Sequence, residues 1–104
     1  MKHILLACAS GMSTSLVVTK MEESAQAKGI DARIWAVAQD KAETEMKDAD
    51  VLLIGPQMRF MKKKLSKVGD ELDVPVDSID PVAYGRMDGK TILEHALELL
   101  EREL

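Results

Sequence analysis

Two aliphatic runs with no polar interruption, Ile4-Leu5-Leu6-Ala7 and Val51-Leu52-Leu53-Ile54, constrain this chain more than any other feature. A strand with one wet face alternates apolar and polar residues, whereas a strand that is apolar at every position is covered on both sides. Such strands lie in the middle of parallel sheets with helices above and below. The first run ends at Cys8-Ala9-Ser10-Gly11 and the second at Gly55-Pro56. Elsewhere apolar residues recur at helical spacing. Leu16, Val17, Met21 and Ala25 fall within residues 13–28, stopped by Gly29, and Met58, Met61, Leu65 and Val68 fall within 57–70. Ile92, Leu93, Ala96, Leu97, Leu100 and Leu104 predict a last helix after Asp88. Residues 31–37 alternate more, as suits an edge strand, and Asp40 with Glu43 fits a capping box that opens a short helix to about Lys47. Val74-Pro75-Val76 reads as a fourth strand at an edge, because Pro has no donor for a ladder.

Four strands separated by helices make an α/β fold, a doubly wound four-stranded parallel sheet with helices on both faces. Right-handed crossovers and the two continuous runs at the centre select the strand order 2-1-3-4. The topological switch point then lies between the first and third strands, and ligands bind beside the carboxyl ends of strands at such a point. The segments found there are 8–15 and 55–59.

Composition narrows the chemistry. The 104 residues suit one domain, residues 1–104, with no linker or repeat. Lys and Arg total 14 against 18 Asp and Glu, and the net charge of -4 argues against a nucleic-acid partner. A single Cys excludes an intramolecular disulfide, a four-cysteine zinc site and a Cys-x-x-Cys pair, and His3 and His95 stand at opposite ends of the sequence. We therefore expect no metal and no cofactor. No apolar run approaches the ~20 residues of a membrane span, and the first strand starts too early for a signal peptide, so the expected location is cytoplasmic.

The segment after the first strand favours an anion. Small residues let the backbone N–H groups of Ser10 to Ser15 turn inward as a nest, Gly11 allows a positive φ, and the helix that follows presents its positive end. Ser13, Thr14 and Ser15 supply hydroxyls for phosphate oxygens or for capping. The same helix end favours thiolate, the nucleophilic form of a cysteine, so Cys8 beside this nest implies phosphoryl transfer through a phosphocysteine. The segment lacks the Gly-x-Gly-x-x-Gly and Gly-Lys-Ser/Thr patterns of nucleotide sites. A cysteine phosphatase and a passive phosphate-binding module on the same fold stay open at this point. Gln57 and Tyr84, both on the carboxyl edge, are possible accessory residues. For Tyr84 packing is the commoner role, and for Gln57 capping or solvent contact weighs about equally. The stripe of Arg59, Lys62, Lys63, Lys64 and Lys67 is either a solvated helix face or a guide for an acidic partner.

The sheet with a cysteine at its first strand end resembles the low-molecular-weight cysteine phosphatases, which place an Arg where this chain has Thr14. Without that Arg, charge on a phosphate ester is poorly neutralised and hydrolysis is disfavoured. Arsenate reductases of this shape also need resolving cysteines, which are absent. The strand ending in Cys8 with Gly11-Met12-Ser13-Thr14-Ser15 after it, together with Leu53-Ile54-Gly55-Pro56-Gln57 and Tyr84-Gly85-Arg86-Met87-Asp88-Gly89, closely resembles the enzyme IIB component of the bacterial sugar phosphotransferase system (PTS), lactose/cellobiose family, most of all its cellobiose and chitobiose type. That resemblance implies a phosphocarrier. A phosphohistidine on the IIA component would donate to Cys8, cradled by Ala9, Ser10, Gly11, Met12, Ser13, Thr14 and Ser15. Phospho-Cys8 would then serve a cellobiose, chitobiose or β-glucoside sugar held by the membrane component IIC. It also implies a cytoplasmic monomer, transiently at the inner face of the membrane through IIC.

Overall fold

The computed structural model describes the backbone of residues 1–8 and 11–102, and the side chains in that range except those of residues 11–14 and 102. Four parallel strands, β1 (Lys2–Cys8), β2 (Ala32–Ala38), β3 (Val51–Ile54) and β4 (Val76–Ser78), form one sheet in the order β2-β1-β3-β4. The two unbroken aliphatic runs are the central strands, and Ile4 to Ala7 and Val51 to Ile54 are all 0% exposed. Alternate side chains of each strand enter opposite layers. Ile4, Leu6, Val51 and Leu53 pack with α1 (Gly11–Ala27) and α5 (Gly89–Arg102) through Val17, Met21, Ile92, Leu93 and Ala96. Leu5, Ala7, Leu52 and Ile54 pack on the other face with α2 (Ala42–Glu45), the 3-10 turn after it and α3 (Lys62–Leu72) through Ala42, Met46 and Leu65. The apolar stripe expected at Met58, Met61, Leu65 and Val68 lies in this second layer. Gly29 stops the first helix at φ 68, a left-handed position with no Cβ penalty for glycine.

Four local expectations need correction. The chain after β2 enters a 3-10 turn at once (Gln39–Lys41), so Asp40 is already inside helical backbone; α2 opens after Lys41 with no side-chain cap, and Glu43 pairs with Lys64 instead at 3.5 Å. Residues 57–61 are not the start of the third helix. Gly55-Pro56 launches a 3-10 segment, Pro56–Met61, bent at Met58 (φ -110, ψ 21), whose side chain is fully buried, and α3 begins only at Lys62. The fourth strand starts at Val76 rather than Val74, because Asp73 caps α3 in the left-handed region (φ 57) and the Val74 N–H donates to Gly69 O at 2.8 Å. Pro75 precedes the strand and its carbonyl accepts from Leu52 N–H at 3.0 Å. Asp80-Pro81, an Asp-Pro dipeptide that reads in the sequence as a common turn, is the start of a further helix, α4 (Pro81–Gly85), with Asp80 Oδ2 accepting from Ala83 N–H at 3.1 Å and Pro81 in the first turn.

The short edge strand β4 is tied to both layers by one carboxylate. Asp77 Oδ1 lies 2.9 Å from Lys62 Nζ of α3 and accepts from Ser78 N–H at 2.8 Å, while Oδ2 lies 2.9 Å from His95 Nε2 of α5. Burial pulls the Asp77 carboxyl upward, but the hydrogen bonds from Lys62, Ser78 N–H and His95, with the charge of Lys62, outweigh it and hold its pKa below the ordinary value. A depressed carboxylate contributes stability that is present above its unfolded-state value of about 3.9 and is lost as the pH falls through the folded value. Urea midpoints of the wild type are therefore expected to exceed those of Asp77→Asn at about pH 6, with the gap closing below about pH 4. A gap that stayed constant to strongly acid pH would mean that Asp77 acts by shape and not by charge.

Candidate active site

Cys8 is the last residue of β1, in register with Ala38 of β2, and only 2% of it is exposed. Its neighbour at the switch point is Gly55, the first residue after β3, whose N–H donates to Ala7 O at 2.8 Å and so continues the ladder to the edge of the site. A Cβ at Gly55 would stand 3.2 Å from Cys8 Cβ, 3.2 Å from Gln57 Oε1 and 3.5 Å from Ala7 O. Glycine is what lets the exit of β3 press against the cysteine and lets the Gln57 carboxamide fold back over the same point. Met58 closes this turn by donating its N–H to Gly55 O at 2.9 Å, and its buried side chain shares the apolar layer of Cys8 and Ala7.

On the other side of Cys8 the chain enters α1 two residues earlier than its sequence pattern indicates, making Gly11 the first helical residue. Seventeen residues of helix with no acidic side chain in the first turn place their positive end next to the end of β1, the position where a helix stabilises an anion. Of the expected cradle, Ala9 and Ser10, and the side chains of Gly11, Met12, Ser13 and Thr14, lie outside the described residues. Ser15 is exposed on α1, and its carbonyl accepts from the Thr19 hydroxyl at 3.1 Å.

Gln57 Oε1 lies 3.2 Å from where a Cβ on Gly55 would stand, and Tyr84 is half-buried in α4 against the layer of α1 and α5. His3 lies 3.1 Å from Asp50 and His95 is engaged with Asp77, and among the described residues no group of three or more His, Cys, Asp or Glu could hold a metal. Three exposed apolar side chains lie in the segments that follow β1, β3 and β4: Leu16 (52% exposed), which the apolar spacing places on the buried stripe of the first helix and the structure turns to solvent, and Phe60 (74%) and Val82 (59%), which the spacing does not single out. Phe60 was legible, since it falls off the Met58, Met61, Leu65 stripe. The close approach of Gly55 to Cys8 carries no such signal, because it is a contact between two strands distant in sequence.

A strand-end cysteine beside a helix N-terminus is a place suited to an anionic group. Residues 3–95 match the family model described as the PTS system lactose/cellobiose-specific IIB subunit. The chain belongs to that IIB family. Among its relatives, the oligo-beta-mannoside-specific EIIB component of Bacillus subtilis (strain 168) is 58% identical over 100 residues, covering 96% of this chain and 97% of the relative. The cellobiose-specific EIIB component of Lactococcus lactis subsp. lactis (strain IL1403) is 42% identical over 104 residues, covering 95% of this chain and 96% of the relative. The solution structure of a cellobiose-specific IIB component from Borrelia burgdorferi superposes with a TM-score of 0.82 at 35% identity, over 98% of this chain and 94% of that one. The lactose-specific IIB domain of Streptococcus pneumoniae shares the fold with a TM-score of 0.84 at 16% identity, over 93% and 95% of the two chains. This IIB chain is thus a phosphotransferase component for sugar uptake, on the four-stranded parallel fold that IIB domains share with the low-molecular-weight phosphatases. IIB components work with IIA and IIC partners, and among the described residues no helix of this one is long and apolar enough to cross a membrane.

Proposed function

We propose that Cys8 is the residue of this IIB chain that carries the phosphoryl group, with the N-terminus of α1 and residues 9–15 as its cradle. The observation that carries the reading is the placement of the chain's one cysteine at the switch point, between the N-terminal end of α1 and the Gly55–Gln57 turn. In the first step the Cys8 thiolate attacks the phosphorus of a phosphohistidine on IIA. The S–P bond forms as the N–P bond breaks, and the imidazole keeps the electron pair. In the second, a sugar hydroxyl held by IIC attacks phosphorus and gives up its proton to solvent as the O–P bond forms, while the S–P bond breaks with its electron pair on sulfur and the thiolate is restored. Burial of Cys8 supports a carrier over a hydrolase, since a relay intermediate must be kept from water. The phosphatase alternative has no comparable support, because Thr14 stands where its Arg clamp belongs.

The sugar in this reading is a β-linked oligosaccharide of the cellobiose, chitobiose, β-glucoside or β-mannoside kind, the class to which the names of two of the relatives point. Residues 1–104 act as one IIB domain, a cytoplasmic monomer that meets IIC at the inner face of the membrane. Leu16 and Val82 form the apolar rim on which IIA and IIC alternate, and Gln57 steadies the phosphoryl group from the β3 side. Intact-mass spectrometry after incubation with phosphoenolpyruvate and a IIA-containing relay, kept from acid, should show one added phosphoryl group that maps to Cys8. No adduct from a relay that is demonstrably active on another IIB would overturn the reading.

A further inference from the structure

Helices gain stability from acidic residues in the first turn and basic residues in the last, and α3 is built the other way round. Its first turn is Lys62-Lys63-Lys64 with no acidic residue, and its last turn holds Asp70 and Glu71 with no basic one. Arg59 and Lys67 extend the cationic end to five charges within nine residues, all exposed and uninterrupted by an acid, in a chain whose net charge is -4. A local arrangement that works against its own helix marks a functional demand and not a stability device. Lys62 and Lys64 are paired with Asp77 and Glu43. Arg59, Lys63 and Lys67, four residues apart along the chain, form no salt bridge among the described residues. The stripe starts at the carboxyl edge of the sheet, where the 3-10 segment after β3 places Phe60 next to it with its ring in solvent. The cationic end of α3 therefore lies toward the edge of the sheet that holds Cys8.

We propose that the stripe of Arg59, Lys63 and Lys67, with Phe60 at its edge, rests on anionic lipid headgroups while the Cys8 edge serves the membrane component. A bilayer is the occupant the observations favour. The cytoplasmic leaflet is negative, exposed cations near it are attracted within a Debye length, and an aromatic ring beside them suits the interface. Three unpaired cations give weak and reversible contact, as a carrier that must leave for its donor requires. The proposal rests on the phosphocarrier reading for its purpose alone, since lipid contact is measurable on the unphosphorylated chain.

The test is co-sedimentation of the intact chain with vesicles of phosphatidylglycerol and phosphatidylcholine, against phosphatidylcholine alone, over a series of salt concentrations. Wild type should bind only the anionic vesicles and be released by salt. Lys63→Gln and Lys67→Gln should each lower the partition coefficient about fivefold, and together about twenty-five-fold. Phe60→Ser should weaken binding without flattening its salt dependence. Lys63→Glu should abolish binding while melting no lower than wild type, since it restores the charge preference of the helix end. Equal sedimentation with neutral and anionic vesicles, or variants that bind like wild type, would overturn the proposal. So would variants that slow phosphorylation by IIA in the absence of lipid while vesicles are never bound, because the stripe would then face a protein. Loss of phosphate uptake by the wild type in a parallel assay would sink the phosphocarrier reading instead, leaving vesicle binding to be read separately.

Discussion

Cys8→Ala is expected to leave a folded chain that takes up no phosphoryl group from an active IIA relay, and Cys8→Ser to fall by a factor on the order of 10³ or more. A serine hydroxyl at neutral pH needs a base to become a nucleophile, and both histidines of this chain are engaged elsewhere, His3 with Asp50 and His95 with Asp77. The two substitutions differ in what they do to the fold. Cys8 is 2% exposed in the layer of Ala7 and Met58, and serine replaces its large polarizable sulfur by a smaller oxygen there, a change expected to cost about 1 kcal/mol. Alanine only removes the sulfur. Thermal melts alongside intact-mass spectra separate the two effects: the alanine variant should melt near wild type and show no adduct. An alanine variant phosphorylated at the wild-type rate would move the nucleophile off Cys8 altogether.

The sheet was readable because its central strands have no choice. Ile4 to Ala7 and Val51 to Ile54 are apolar on both faces, so only a position between two helix layers satisfies them, and the order β2-β1-β3-β4 follows once those two are in the middle. What was misread is decided by single backbone events. Asp73 in the left-handed region delays β4 by two residues, and the bend at Met58 delays α3 by five, although both elements keep the apolar pattern that announced them. Asp40 and Glu43 have the spacing of a capping box, yet a lysine three-quarters of a turn into α3 competes for Glu43, a contact that no local pattern records. At the site, Cys8 was legible from its place at a strand end before small residues, and the helix start was legible to within two residues. The strand order also put the Gly55 turn beside Cys8 at the switch point, but not how tightly the two meet, since Gly55-Pro56 reads equally well as an ordinary turn.

Gly89→Ala is expected to be among the most damaging of the small changes to this chain. Gly89 opens α5 where that helix crosses α1, and a Cβ there would stand 2.5 Å from Met21 N, 2.6 Å from Lys20 Cβ and closer still to the Lys20 carbonyl carbon. Two of these are main-chain atoms in the middle of a helix, so no side chain can swing aside. Overpacking of this kind costs about 3 kcal/mol, which for a domain of this size lowers the melting temperature by roughly 10–20 °C. Two other glycines provide the scale. Gly85 lies in α4 with nothing within 4 Å of a Cβ and no positive φ, so Gly85→Ala should be neutral or stabilising by up to about 1 kcal/mol. Gly29 is equally uncrowded but sits at φ +68, so Gly29→Ala should cost about 1–2 kcal/mol through backbone strain alone. The expected order of melting temperatures is Gly85→Ala, Gly29→Ala, Gly89→Ala, from highest to lowest. The functional consequence follows from the same contact. α1 presents its N-terminus to Cys8 and is held from behind by α5, so at a temperature where Gly89→Ala is still folded its phosphorylation should fall further than the unfolded fraction explains. Phosphorylation that tracks the folded fraction alone would show that the end of α1 is fixed by β1 and not by the helix behind it.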